Sequence, residues 1–289
     1  MMINFVKYRV IYLIISLAVI VPGIISLFRH GLEPAIDFTG GTEVEYQMNS
    51  VSPEQIKSAV SQKFSQVDVE QTSGQSYLIR LPALNEVEKS DFEQIIKSLD
   101  GEASELRFET LGPILGKELL RKTFLGLILA TVLILAYIAM AFRSLKFGVC
   151  ATLATIHDTV VVLGAFSIFG QKYGVRVDSL FVTALLTVLS FSVHDTIVVF
   201  DRIRELAKIF KNDTSENLIN KAVNETMIRS LNNSLTIIFM LVALILMGGE
   251  SIRWFVIALL IGTVSGTYSS PFVATPLLLL WEKLLGPKK

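Results

Sequence analysis

The chain has 289 residues, 52% of them hydrophobic and 18% charged, and its 26 basic and 26 acidic side chains cancel. It is too apolar for an ordinary soluble domain and too long for a single membrane span, so the bilayer is its main solvent. Zero net charge gives no bulk attraction to nucleic acid, and one cysteine, Cys150, excludes an internal disulfide framework and a cysteine-rich zinc site. Cys150 lies between apolar neighbours and reads as inert packing.

A hydrocarbon core of about 30 Å needs about 20 apolar residues in a helix. Four charge-free runs reach that length: Val10 to Phe28, Thr123 to Phe142, Ser230 to Gly249, and Trp254 to Trp281, the last with kinks expected at Pro271 and Pro276. Two more runs, Phe147 to Gly170 and Ser179 to Phe200, carry the pairs His157-Asp158 and His194-Asp195. The first run is long for a signal-peptide core and no small-x-small site follows it, so it is expected to stay as a span. The predicted organisation is a first span within residues 1–29, a polar domain at 30–121, and five further spans within 122–289.

Lys7, Arg9, Arg143, Lys146, Arg202, Arg204, Lys208 and Arg229 gather at one set of span ends, whereas the opposite short loops hold only Lys172, Arg176 and Arg253. The positive-inside rule then predicts cytoplasmic termini and an extracytoplasmic 30–121 domain. Arg29, Lys117, Arg121 and Lys122 run against the rule, but a long translocated domain is weakly governed by it.

The polar domain reads as mixed α and β. Strands are predicted over Thr42 to Met48, Val67 to Thr72, Tyr77 to Leu81 (after a Ser73-Gly74 turn) and Ser104 to Thr110. One helix opens at Pro53, after Ser52, and runs to about Phe64. A second, capped by Asn85 with Glu88 three residues on, runs to Leu99. The order βαββαβ predicts a small ferredoxin-like α+β fold, which by itself carries no function. Residues 202–229 hold a cytoplasmic amphipathic segment. Asp213 and Glu216 resemble a capping box, and Leu218, Ile219, Ala222, Val223 and Met227 form one apolar stripe, suited to the bilayer surface or to a partner subunit.

Ionisable groups inside spans cost at least about 2.5–3.5 kcal/mol each on insertion scales, which makes Asp158 and Asp195 functional candidates. Asp158 lies eleven residues after Phe147, roughly 16 Å along a helix and so near mid-membrane. Asp195 lies nearer the cytoplasmic end, shares a helix face with Arg202, and has Thr187, Ser190, Ser192 and Thr196 on its span as hydrogen-bonding groups. Arg229, at the cytoplasmic mouth of the fifth span, offers it a cation. Asp195 and Arg229 therefore read either as a static buried ion pair or as a carboxylate poised between burial and a nearby cation, able to load and unload a proton. His157 and His194 read as hydrogen-bonded neighbours or proton carriers. Metal binding fits poorly, because adjacent helical residues point about 100° apart and no HExxH motif is present. Without a phosphate loop, a nucleophile elbow or a dinucleotide fingerprint, the chain is expected to be neither an ATPase nor another enzyme, and to carry no cofactor. Asp37, Gly40 and Gly41, in the run DFTGGT after the first span, suggest a turn or a close backbone approach into the polar domain.

Four motifs together resemble the SecD/SecF family of protein-export membrane subunits over essentially the whole chain. They are DFTGGT at 37–42, SVHDTIVVFDRIRE at 192–205, GGE at 248–250 and GTVSGTYSS at 262–270. The family is similar to the resistance-nodulation-division exporters, six-span units that pair about a pseudo-twofold axis. One short outer domain and six spans fit the branch that pairs with SecD. The resemblance implies a bacterial inner-membrane protein that uses the proton-motive force to assist export of unfolded secretory proteins. It implies SecD as heterodimer partner and SecYEG, YajC and YidC as neighbours. Asp195 and Arg229 take the positions of the family's proton-pathway aspartate and arginine, Asp158 is a polar site in the neighbouring span, and Asp37, Gly40 and Gly41 form the signature hinge. His194 stands where many members carry asparagine, so it either charges beside the aspartate or relays protons itself. Two other classes compete: a proton-driven exporter half for lipid or small molecules, and a passive scaffold of the translocon.

Overall fold

The computed structural model describes residues 4–49, 51–72, 74–142 and 144–285. In chain order the elements are α1 (Arg9–His30), α2 (Ile36–Thr39), β1 (Gly41–Gln47), α3 (Pro53–Val60), β2 (Asp68–Gln71), β3 (Ser76–Leu81), α4 (Glu86–Leu99), β4 (Ser104–Leu111) and α5 (Pro113–Phe142). They continue with α6 (Leu145–Tyr173), α7 (Ser179–Ile209), α8 (Ser215–Met247), α9 (Glu250–Ser269), a π-helical stretch (Ser270–Ala274) and α10 (Thr275–Leu285). Arg143, counted with the basic span ends, and Ser73 of the expected turn lie outside the described residues.

Two compact units emerge, residues 1–33 with 125–289, and 34–124. The first contains helices long and apolar enough to cross a membrane, six along the described chain when α5 is included and α9, the π stretch and α10 are taken as one. It is a multi-pass membrane protein. Pro271 is the second residue of the π stretch, while Pro276 sits in the first turn of α10, where a missing N–H costs little.

The packing of the spans rests on small residues, because lipid offers no hydrophobic drive between helices. Gly23 of α1 meets Gly164 of α6 so closely that a Cβ on Gly164 would lie 2.6 Å from Gly23 Cα. Beside this contact Ser26 and Ser167 share a hydrogen bond of 2.8 Å. On α9, a Cβ on Gly262 would fall 2.0 Å from Val188 Cγ2, and one on Gly266 would fall 3.3 Å from Ser192 Cα. Buried Cys150 packs with Phe147, Phe200 and Ile219.

The amphipathic segment differs from expectation. Residues 202–209 complete α7, and α8 begins at Ser215, capped by Thr214 Oγ1, which accepts from Asn217 N at 3.3 Å. No separate surface helix forms there. Leu218, Ile219, Ala222 and Val223 are buried among α6, α7 and α10, so the apolar stripe serves the bundle and not the bilayer surface. Glu216 accepts from Lys283 at 2.7 Å and from Arg9 at 3.4 Å, tying both chain ends to α8.

The second unit is a four-stranded antiparallel sheet in the order β2-β3-β1-β4 with two helices, the predicted ferredoxin-like arrangement. Both helices start on complete capping boxes, Ser52 with Gln55 and Asn85 with Glu88, which satisfy N–H groups that a helix leaves unpaired. Val44, Tyr46, Ile79, Ile56, Phe92 and Ile96 fill the core. Arg80 on β3 gathers Glu43 at 3.0 Å, Glu70 at 3.0 Å and Asp68 at 3.3 Å across three strands.

The double glycine is both a turn and a close approach. Gly40 (φ 74°) and Gly41 (φ 138°) hold left-handed backbone that side chains resist, and a Cβ on Gly40 would lie 2.6 Å from Pro113 Cα. Thr42, wholly buried, accepts from Leu84 N at 2.9 Å and bonds Thr110 Oγ1 at 2.8 Å, so the run is pinned where β1 begins.

Candidate functional site

Asp158 sits in the middle of α6 with no solvent exposure. Its Oδ2 accepts hydrogen bonds from Ser192 of α7 and Ser269 of α9, each at 2.6 Å, and its Oδ1 accepts from Ser265 of α9 at 2.6 Å. His157 Nδ1 lies 3.0 Å from Oδ1, and His157 Nε2 lies 3.2 Å from Ser16 Oγ on α1. In the tautomer with hydrogen on Nδ1, the ring donates to the carboxylate and accepts from Ser16. Helices α6, α7 and α9 therefore converge on one carboxylate, and α1 joins through His157.

The spacing on α9 explains how two serines reach one acid. Gly262, Ser265, Gly266 and Ser269 recur at the three- and four-residue intervals that line one helix face. The glycines let α9 approach α7 at van der Waals distance, and at that distance a side chain as short as serine spans the gap. Thr196 Oγ1 and Ser270 Oγ add a further hydroxyl contact of 3.0 Å between α7 and the π stretch.

Asp195, 8% exposed on α7, is held differently. Its Oδ2 accepts from Ser230 of α8 at 2.8 Å. No ion pair joins it to Arg229 among the described residues. Arg229 is exposed and lines a cavity of about 500 Å³ between α7 and α8, together with Asp201, Arg202, Glu205, Glu225 and Thr226. Arg202 is engaged there, pairing with Glu205 and, at 2.5 Å, with Glu225, while Arg204 pairs with Asp201 at 3.0 Å. The sequence neighbour Ser230, and not Arg229, is thus the side chain that meets the acid. His194 is exposed and lines a small cavity on the other side of Asp195, with Asn233, Ser234, Thr263 and Thr267. The two His-Asp pairs do not converge with a third such group, and no cluster of three or more His, Cys, Asp or Glu able to hold a metal forms among the described residues.

Residues 91–284 match the family described as "Protein export membrane protein SecD/SecF, C-terminal", and residues 25–50 match the "SecD/SecF GG Motif". The chain belongs to the SecD/SecF protein-export family. Within that family it is 44% identical to the protein translocase subunit SecF of Thermobaculum terrenum, covering 97% of this chain and 94% of that one. It is 38% identical to the same-named subunit of Anaerolinea thermophila over the same shares. The crystal structure of SecDF from Thermus thermophilus superposes with a TM-score of 0.88 at 31% identity, covering 98% of this chain and 39% of that longer one.

The SecD/SecF motifs acquire a physical meaning in this arrangement. DFTGGT supplies the left-handed backbone against Pro113, and GTVSGTYSS supplies the glycine approach and the serine donors. Sequence reading placed Ser192 only as a general hydrogen-bonding group and missed Ser265, Ser269 and Ser16 as partners of the Asp158-His157 pair. The signal that could have found the α9 pair was the small-residue periodicity, which marks a face fit for close helix contact. Ser230, which begins the fifth predicted span directly after Arg229, and not the arginine, touches Asp195.

Proposed function

We propose that this chain is the SecF-type half of a SecD–SecF pair that uses the proton-motive force to assist export of unfolded proteins. It lies in the bacterial inner membrane, beside SecYEG and near YajC and YidC, with cytoplasmic termini and the 34–124 unit outside. The observation that carries the reading is Asp195, a buried carboxylate within a six-span bundle of the SecD/SecF family, bonded to a single hydroxyl and lining a small cavity with polar walls. A carboxylate so lightly held exchanges a proton more readily than one fixed in a full set of bonds.

In this reading Asp195 is the loading site and the Arg229 cavity is its aqueous connection to the cytoplasm. Arg229 supplies positive charge at the cavity mouth that stabilises the anion when the proton leaves. His194, beside the acid, is a second proton acceptor. Asp158 and His157 form the coupling element of the same pathway. A carboxylate accepts from every donor around it, but a protonated carboxyl carries a donor of its own and satisfies fewer. Protonating Asp158 would turn one of its acceptor contacts into a donor contact and oblige a serine to reorient, so proton arrival is linked to the packing of α6, α7 and α9. Asp37, Gly40 and Gly41 act as the hinge at the base of the outer unit. One proton crossing 100 mV releases about 2.3 kcal/mol, so a few protons suffice for a movement costing several kcal/mol.

The test is export of a secretory protein into membrane vesicles with SecD at native level, comparing the native chain with Asp195→Asn at matched abundance. The reading expects Asp195→Asn to keep assembly and lose the component that depends on the proton gradient. Unchanged export would leave the chain as a passive scaffold.

A further inference from the structure

The small cavity beside Asp195 holds an anomaly. Thr263 on α9 is 4% exposed, lines this cavity, and its hydroxyl finds no hydrogen-bond partner among the described residues. A buried hydroxyl without a partner costs roughly 1–3 kcal/mol, so native structures rarely leave one stranded. Other helical threonines in the bundle return their hydroxyls to the carbonyl four residues back, as Thr155, Thr159 and Thr226 do at 2.9 Å. Thr263 does not.

The cavity measures about 20 Å³, enough for one water molecule. A buried water also needs two to four polar partners. The walls provide them: Thr263, Asp195, Ser234, Thr267, His194 and Asn233. Asp195 Oδ2 is occupied by Ser230.

The position along the membrane normal is informative. On α8, Ser234 lies one turn beyond Ser230, about 6 Å farther from the Arg229 cavity. α9 runs back along α8, and Thr267 Oγ1 bonds Ser234 Oγ at 2.6 Å. One more turn in the same direction reaches Thr263. Ser234 with Thr267, and then Thr263, thus form a polar ladder that leads from Asp195 away from Arg229, with apolar Ile237 beside its far rung.

We infer that one water molecule is bound in this cavity, and that Thr263 is a positioning residue that holds it for proton delivery to Asp195 from the outer side. The inference rests on Asp195 being the proton site and adds the route by which it loads. In the delivery step the water accepts a proton from the outer side and passes one to the Asp195 carboxylate, so it ends neutral and the acid ends protonated. Thr263 Oγ1 stays chemically unchanged and fixes the orientation of the water.

The experiment uses the assembled SecD-paired complex and three variants: Thr263→Val, which keeps the shape and removes the hydroxyl, Thr263→Ser, which restores it, and Asp195→Asn. Gradient-dependent export is read in vesicles, and ordered water density is read in a high-resolution structure of the native complex and of Thr263→Val. The inference expects a density peak within hydrogen-bonding distance of Thr263 Oγ1, its loss in Thr263→Val, and gradient-dependent export about fivefold slower in that variant, the factor matching one hydrogen bond of about 1 kcal/mol. Thr263→Ser recovers the rate. Absence of the native peak overturns the water site. If the peak is present but Thr263→Val exports at the native rate while Asp195→Asn fails, the delivery role is overturned and the proton reading stands. If Asp195→Asn exports normally, the proton reading falls and the delivery role falls with it.

Discussion

Ser269 on α9 and Asp158 on α6, 111 residues apart in sequence, meet at 2.6 Å in a part of the bundle from which solvent is wholly excluded. Asp158 is thus a junction of helices, and its replacement has a structural signature that Asp195 lacks. Asp158→Leu would leave the hydroxyls of Ser192, Ser265 and Ser269 without their acceptor, at about 1–3 kcal/mol for each group left unsatisfied. It should lower the thermal unfolding midpoint of the detergent-purified complex strongly, whereas Ser269→Ala should lower it by about 1 kcal/mol equivalent. A Leu variant as stable as the native chain would contradict the junction.

Ser230 is the one side chain bonded to Asp195 among the described residues. Ser230→Ala should reduce gradient-dependent export to a level between the native chain and Asp195→Asn. Its effect on thermal stability should stay near 1 kcal/mol, since a single hydrogen bond is lost. Equal loss in both variants would mean that the serine is itself indispensable to proton transfer.

Gly40→Ala would put a Cβ 2.6 Å from Pro113 Cα at a φ of 74°, so it is both strained and sterically blocked. The strain alone is on the order of 1–3 kcal/mol. Limited proteolysis of the full chain should show faster cleavage within 34–124, and Gly74→Ala, at an open turn with φ 59°, should show a smaller effect. Equal protection of Gly40→Ala and native chain would refute the close-approach role.

The Asp100 carboxylate accepts from the backbone N–H of Asn49 at 2.7 Å and of Glu102 at 2.9 Å, and these bonds hold it below the ordinary carboxylate range. Its folded form takes up a proton less readily than its unfolded form, so its stabilising contribution is whole above the ordinary carboxylate pKa of about 4 and is lost as pH falls from there through the lowered folded value. Asp100→Asn should therefore destabilise the 34–124 unit at neutral pH, and the gap to the native chain should narrow on acidification. Denaturation followed by a probe in that unit at pH 7 and at pH 3 measures this; a gap that widens in acid would reverse the sign and reject the explanation.

Some parts of the fold were legible because they obey local rules. A span announces itself by length and apolarity, so all six long helices were found, although their ends were set short where charged turns continue the helix, as at residues 202–209 and 215–229. Pro53 after Ser52, the capping box at Asn85 and the strand runs between turn signals marked the small α+β unit for the same reason: each signal lies within a few residues of what it determines. The stripe from Leu218 to Val223 was equally visible, but its destination was not. Amphipathicity states that a face must be covered and does not name the cover, and here α6, α7 and α10 provide it in place of the bilayer surface.

The sequence by itself determined that the chain lives in a bilayer, that a ferredoxin-like unit follows the first span, and that Asp158 and Asp195 required special accommodation. Tertiary structure alone decided what accommodates each: three serine hydroxyls and a histidine around the first, one serine and a small cavity around the second, and Arg229 turned away to the wall of another cavity. The physical reason is that a buried charge in a membrane is satisfied by whichever neutral donors close helix packing brings within about 3 Å. Those donors lie 34 to 111 residues away along the chain, where no local pattern reaches.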